Sequence, residues 1–471
     1  MHILSIFFGH DGAFSIAKDY DLLIHCQLDR FNRLKHDFSL NGNLFIYLQS
    51  LNIKFDIVLM SNLRENIIDI EYIKNIFKNY KLKHNNTLFI DYSKKENKKH
   101  HLLHAYCSKV TLGDNENYFV ADGGGIVDET GEYERESIFN KNFSVSKRFK
   151  KLIGVRYGTV SGELFNTDYE HGFLLCGKTM ALSQYGRNII TKADKLNEDL
   201  DNTECQDFLY SLQKQTEEDL LSIIPKENCN YSGGVAQNIL VNSKILNLKN
   251  IKIDPICIDS GISLGLINYF LKGNLRKINN VYLGPLPNYD LLKIFTNCEI
   301  IPSDEKKVAK ILKDNPVALY QGRSEQGQRG LGNRSLLINC HNDKSIGKIN
   351  AIKNREWYRP FSPSVVEEKA NDYFDMKGVT SPYMMYAFQS KQNLKNVCAI
   401  DGSSRVQTVN AEQNPAFYRL LKESEDILLN TSLNFPGQVL VEDLLDLKYM
   451  LDMSPLKYAW LPDINQLIVK K

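Results

Sequence analysis

No two of the nine cysteines stand at CxxC spacing. That argues against a metal-spaced or disulfide framework and for reduced, mostly buried thiols in a cytoplasmic protein. No apolar run approaches the roughly 20 residues that span a bilayer. Residues 1–8 carry no basic leader and stop at Gly9, so they read as a strand rather than a signal peptide. These features predict neither secretion nor membrane insertion. Net charge is also nearly absent, at +2, and by itself favours no polyanionic partner. Locally the charge is uneven. Lys94, Lys95, Lys98 and Lys99 form one basic cluster, and Lys147, Arg148, Lys150 and Lys151 form another. Such runs are either solvated loops or a face turned to phosphate.

What is present is a chain of 471 residues, 43% hydrophobic and 24% charged. That is an ordinary globular balance, in a chain too long for one core, so two or three domains are expected. Residues 2–8, 13–17 and 22–28 read as three short strands. Gly9-His10-Asp11-Gly12 forms a small-residue loop between the first two. A similar unit recurs where residues 118–121 run into Asp122-Gly123-Gly124-Gly125, which predicts a duplicated, actin-like nucleotide-binding fold. Helical signals cover 202–223 and 235–249. Gly284-Pro285-Leu286-Pro287-Asn288 marks a boundary near 285. Beyond it, short strands alternate with arginine-rich loops.

Three groups of residues carry chemistry. On a helix, His100 and His104 share one face a turn apart, where both imidazoles can reach one divalent ion. Asp122 and Asp259 each stand beside a glycine turn or bend and complete a plausible iron, manganese or zinc set. Gly233 and Gly234 open a predicted helix, where a backbone can approach an anion, and Lys178 sits where it could meet a phosphate. Finally, Arg329 and Arg334 lie among four glycines in Gly322–Ser335. Lys353, Arg355 and Arg359 follow, then Arg405, then Asn430 and Ser432. Arginine forks beside glycine loops suit phosphorylated ligands.

Taken in order, several strings resemble the carbamoyltransferase family that includes the nodulation-factor and antibiotic O-carbamoyltransferases. They are His10-Asp11, Arg30–Asp37, His100–Ala105, Gly177–Gly186, Ser232–Asn238, Glu325–Ser335, Lys353–Ser364, Asp401–Val409 and Leu428–Asn434. The resemblance implies an α/β architecture. A duplicated actin-like (ASKHA) domain at 1–285 is similar to the tRNA threonylcarbamoyl transferase, and a YrdC-like α/β domain occupies 286–471. It implies that the second domain makes carbamoyl-adenylate from carbamoyl phosphate and ATP with Mg. The first domain then transfers the carbamoyl group to an acceptor hydroxyl at a metal, iron being the usual one.

By that resemblance His100, His104, Asp122 and Asp259 are the metal ligands. Gly123, Gly124, Lys178, Gly233, Gly234 and Asn238 cradle the nucleotide. Arg329, Arg334, Lys353, Arg359, Arg405, Asn430 and Ser432 hold carbamoyl phosphate and ATP. His10 is the candidate base, because an imidazole titrates near neutrality. Gln328, Gly330 and Ala399 stand where the family usually has proline, alanine and histidine, which bears on the activation step. A sugar or natural product and a hydroxymethylated DNA base are both options for the acceptor. A homo-oligomer is compatible with all of this. Competing readings are a tRNA threonylcarbamoyl transferase with a fused activating domain and a non-catalytic actin-like ATP-binding scaffold.

Overall fold

A computed structural model describes residues 1–36, 42–62, 68–83, 86–93, 99–125, 133–191 and 199–471. Lys94, Lys95 and Lys98 of the first basic cluster, and Asp37, lie outside the described residues. The chain forms two compact units. The first comprises Met1–Arg156, Ser222–Gln237 and Asn247–Gly284, and the second Tyr157–Leu221, Asn238–Leu246 and Pro285–Lys471. The chain therefore passes between units several times, where the sequence suggests a single boundary near 285. Among the described residues no helix is long and apolar enough to cross a membrane.

The first unit is a mixed α/β body with two five-stranded sheets. One contains β1 (His2–Phe8), β2 (Ala13–Lys18), β3 (Asp21–Gln27), β4 (Ile57–Asn62) and β5 (Leu88–Asp91) in the order β3-β2-β1-β4-β5. The other contains β6 (Asn117–Ala121), β7 (Glu136–Asn140), β8 (Val145–Phe149), β9 (Glu227–Ser232) and β10 (Lys249–Ile253), in the order β8-β7-β6-β9-β10. In each sheet the first three strands form an antiparallel meander, and the first, fourth and fifth run parallel. The repeat is thus carried by topology: β1 and β6 occupy the same place, and each is followed by a short loop. Both strands are apolar and almost wholly buried, as strands covered on both faces should be.

The helix expected over 235–249 is shorter. Gly234–Gln237 is a single 3-10 turn, Asn238 caps a helix over Ile239–Ile245, and Lys249 already pairs with Glu227 in β10. Pairing with β9 overrides the local helical preference there.

The second unit is built on an eight-stranded sheet of β11 (Cys298–Pro302), β12 (Val317–Tyr320), β13 (Arg334–Ile338), β14 (Ser362–Val366), β17 (Gln407–Val409), β18 (Ile427–Ser432), β19 (Tyr458–Leu461) and β20 (Gln466–Lys470). A small pair, β15 (Phe388–Gln389) and β16 (Ser403–Ser404), lies apart from it. Alternate residues of β12 enter different cores: Ala318 and Tyr320 join one, Val317 and Leu319 the other. The sheet is therefore covered on both faces. Its order, β11-β20-β19-β12-β13-β18-β14-β17, matters for function. Ser335 pairs with Ser432, Ser362 with Asn430, and β17 runs parallel to β14. The starts of β13, β14 and β17 and the end of β18 therefore meet at one end of four adjacent strands.

Candidate functional site

In the first unit, His100 and His104 head the helix His100–Leu112, Asp122 follows β6, and Asp259 lies two residues before the helix Gly261–Phe270. One ligand atom from each falls within 4.8 Å of the others. Glycines make this convergence feasible. A Cβ on Gly265 would lie 2.0 Å from the Leu103 carbonyl, so only glycine lets the second helix close on the backbone beside His104. Gly233 has φ +95°, and a Cβ there would lie 2.3 Å from the Ala121 carbonyl, just before Asp122.

Asp122 is oriented by main-chain donors. Gly123 N–H donates to Oδ1 at 2.7 Å and Gly234 N–H at 3.2 Å. Oδ2 then faces His100 Nε2 and His104 Nε2, both at 3.2 Å. Asp259 Oδ1 faces the same two nitrogens at 3.5 and 3.3 Å. Such separations are those of ligands sharing one ion, since ligands about 2.1 Å from a tetrahedral centre stand roughly 3.4 Å apart. His104 is fully buried, and neither of its ring nitrogens makes a hydrogen bond. An imidazole left so in the interior, facing two carboxylates, suits a divalent cation held by His100, His104, Asp122 and Asp259. Burial alone would lower the His104 pKa, but Asp122 and Asp259 outweigh it and raise it to about 10. Conversely, the two imidazoles hold the Asp122 carboxyl well below its usual range despite burial. Cation and proton therefore compete for this site.

Around the four lie His10, the candidate base, and residues to which the sequence assigned no role. Buried His101 places Nδ1 2.9 Å from Ser137 Oγ, and burial keeps it neutral. His10 lies at the rim, its side chain 48% exposed, with Nε2 3.6 Å from Asp259 Oδ2 and Nδ1 3.5 Å from Asp11 Oδ2. Burial opposes its charge, but Asp259 and Asp11 prevail and raise the imidazole to about 10; its exposure to water moderates that pull. Asp11, buried with φ +57°, also meets His36 Nδ1 at 2.6 Å. Adjacency to His10 was the available signal for Asp11; His36 had none beyond its place in the Arg30–Asp37 string.

The expected nucleotide residues divide. Gly123, Gly233 and Gly234 adjoin Asp122. Gly124 approaches Arg135, whose Nη1 donates to the Gly123 carbonyl at 2.8 Å. Asn238 and Lys178 belong to the second unit. Asn238 caps its short helix through Val241 N–H and donates to Gln213 Oε1. Lys178 pairs with Glu356 at 2.6 Å. Neither joins the glycines within the first unit.

In the second unit the cations gather at the strand ends described above. Arg405 Nε donates to Ser362 Oγ at 3.1 Å. Arg355 donates to the Pro360 carbonyl at 2.7 Å and lies over the Phe361 ring, and Arg359 pairs with Glu356 at 3.0 Å. Desolvation, then Arg329, Arg355 and Arg359, push the Arg405 pKa well down. Desolvation and Arg359, with a smaller push from Arg329, lower Arg355 to about 9. Withdrawal from water and the crowding of like charges together disfavour the charge on these two guanidiniums. Arg355 and Glu356, absent from the expected set, are part of this cluster.

Four expected phosphate contacts have other partners. Arg334 is fully buried, lies 3.9 Å over the Tyr320 ring, and donates to the carbonyls of Gln321, Gly322, Asn333 and Glu442. Lys353 donates to the Ser432 and Asn434 carbonyls, both at 2.7 Å. Asn430 donates to Gly330, Ser364 and Gln407. Ser432 bonds Asn434 Oδ1 at 2.7 Å. These residues shape the strand ends on which the remaining arginines sit. A Cβ on Gly330 would lie 2.8 Å from Ser432 Cα, so this loop packs backbone against backbone.

Residues 308–470 match the family model "Carbamoyltransferase C-terminus". Nodulation protein NolNO of Sinorhizobium fredii is 26% identical over 93% of this chain and 76% of its own length. The 3'-hydroxymethylcephem-O-carbamoyltransferase of Streptomyces clavuligerus is 33% identical over 45% of this chain and 44% of its own. The chain is thus similar to carbamoyltransferases over its C-terminal third. An uncharacterized protein of Methanocaldococcus jannaschii is 29% identical over 56% of this chain and 54% of its own length. The chain spans about half the length of most of these curated relatives. Among solved structures, the activator of a 2-hydroxyisocaproyl-CoA dehydratase from Clostridium difficile covers 58% of the chain and 96% of itself, at 13% identity and a TM-score of 0.32.

Proposed function

We propose that this protein is an ATP-dependent O-carbamoyltransferase that makes carbamoyl-adenylate from carbamoyl phosphate and ATP and passes the carbamoyl group to an acceptor hydroxyl. The observation that carries this reading is one chain holding a buried His–Asp set fit for a divalent cation and a guanidinium cluster fit for phosphorylated ligands. A YrdC-like activating domain from 286 and an actin-like transfer domain over 1–285 complete the reading. In the cluster, Arg329, Arg355, Arg359 and Arg405 offer forked donors to the phosphoryl oxygens of carbamoyl phosphate and ATP. Arg334, Lys353, Asn430 and Ser432 fix the strand ends that aim them. Activation consumes one water, which splits carbamoyl phosphate into carbamate and phosphate; a carbamate oxygen then attacks the α-phosphorus of ATP and displaces pyrophosphate, and both leaving groups are anions that such donors stabilise.

Carbamoyl-adenylate is then received by the first unit, with Gly123, Gly124, Gly233 and Gly234 admitting it to the backbone. A divalent cation, iron by family resemblance, supplies Lewis acidity there when bound by His100, His104, Asp122 and Asp259. His10 takes the acceptor proton. With the charge of Asp259 neutralised, its imidazole loses the strongest upward pull on its pKa and becomes a usable base. Free cysteines, and no helix among the described residues long and apolar enough to cross a membrane, fit a cytoplasmic enzyme.

Two acceptors are proposed, a small hydroxylated molecule and a hydroxymethylated DNA base. The second is favoured by the exposed edge strand β8, which carries Lys147 and Arg148. Incubating the protein with ATP, carbamoyl phosphate and a panel of sugars, hydroxymethyl cephems and hydroxymethylated DNA, read by mass spectrometry, tests the proposal. One acceptor should gain a carbamoyl mass in an ATP-dependent way. Gain without ATP, or ATP turnover independent of carbamoyl phosphate, would contradict it.

A further inference from the structure

The arginine cluster contains a carboxylate where a phosphate-binding site should disfavour one. Glu356 sits between Arg355 and Trp357, accepts from Lys178 at 2.6 Å and from Arg359 at 3.0 Å, and keeps 32% of its side chain exposed. Lys178 and Arg359 are exposed to a similar degree, 31% and 34%. All three therefore lie at the rim of the cluster rather than in its floor. Burial works against Glu356, but Lys178 and Arg359 hold its carboxyl at about 2, so it is an anion at any working pH. Arg355 responds to the same carboxylate.

We propose that Glu356 is a resident counter-anion of the arginine cluster, holding Lys178 and Arg359 in place until an incoming phosphoryl anion displaces it from them. The proposal rests on the cluster being the phosphate site. A water-exposed carboxylate pair is weak. A phosphoryl group brings up to two charges and three acceptor oxygens to the same donors. Exchange is therefore favourable without being costly to reverse, which suits a site that must release phosphate and pyrophosphate. Exchange also adds a cation to the ligand. Lys178 rides on the helix Tyr169–Leu182 and lies over the Phe165 ring at 5.5 Å, so it stays near the cluster when Glu356 lets go. Glu356 thus sets how tightly the site holds phosphorylated ligands.

The test is calorimetric titration of the full chain and of Glu356→Gln with inorganic pyrophosphate. Removing a competing charge a few ångströms from the ligand should tighten binding on the order of tenfold. Adding Lys178→Met to Glu356→Gln should cancel most of the gain. Equal or weaker binding by Glu356→Gln would show a plain anchor and overturn the proposal while leaving the phosphate site intact. No binding by either protein would overturn the phosphate site and the proposal together. Should Glu356→Gln not fold, wild-type fluorescence serves. Trp357 is exposed and stacked edge-on to Tyr185, whereas Trp460 is buried in the core. Saturating pyrophosphate should change Trp357 emission, and unchanged emission alongside measured binding would overturn the displacement.

Discussion

The two units solve opposite problems with one device. Each gathers charged or ligating side chains near the ends of buried strands. In the first unit the result is a pair of carboxylates and a pair of imidazoles, with His104 making no hydrogen bond at either nitrogen. In the second it is four arginines, of which Arg355 and Arg405 have their pKa lowered by desolvation and then by the neighbouring guanidiniums. One centre suits a cation and the other suits phosphorylated anions. The comparison teaches that the ligand is written in the sign of the missing charge, and that residues which look alike in sequence divide into those that bear the charge and those that build the frame.

The largest effect expected is loss of the cation. His104→Ala should reduce bound metal from near one per chain to background, measured by elemental analysis, while pyrophosphate affinity in the second unit stays unchanged. Next, Arg359→Gln should weaken pyrophosphate binding by about 10- to 100-fold, the range of a charge-assisted contact, with metal content unaffected. If either variant disturbs both ligands, the two sites are not independent.

A smaller difference concerns acid. Eight of the ten histidines fall in the first unit, His171 and His341 being the others. Burial holds His25 at about 3, whereas the unfolded chain protonates it near 6.5. The unfolded state thus binds more protons between those values, so stability is full above about pH 6.5 and falls as pH drops toward 3. Denaturant titration at pH 7 and pH 5 should show about 1–2 kcal/mol lost through this residue, and His25→Gln should lose less between the two pH values. The smallest effect is at the surface. Lys147→Ala, on β8, should change stability by less than about 0.5 kcal/mol. If hydroxymethylated DNA is the acceptor, it should also lower the salt dependence of DNA binding by about one unit of slope.

Much of the first unit was legible because its signals are local. The i,i+4 spacing of His100 and His104 survives any tertiary context, and the apolar strands before Gly9 and Asp122 mark the duplicated units. What chain order could not show is where donors are directed. Arg334 and Arg359 look equivalent in sequence, yet one stacks on Tyr320 and satisfies carbonyls while the other faces Glu356. Lys178 read as a nucleotide contact because it sits beside a glycine, but its partner lies far along the chain. Asn238, expected at the nucleotide, also caps a helix that stops before β10, a role its place in the string did not signal. Each of these turns on non-local pairing, which composition and spacing do not encode.

The division of labour is tested most directly by running both half-reactions on paired variants. Pyrophosphate release from ATP and carbamoyl phosphate, and transfer from supplied carbamoyl-adenylate, would be measured for His104→Ala and Arg359→Gln. The account predicts that His104→Ala keeps the first and loses the second, and that Arg359→Gln does the reverse. Loss of pyrophosphate release in His104→Ala, or loss of transfer from supplied adenylate in Arg359→Gln, would contradict it.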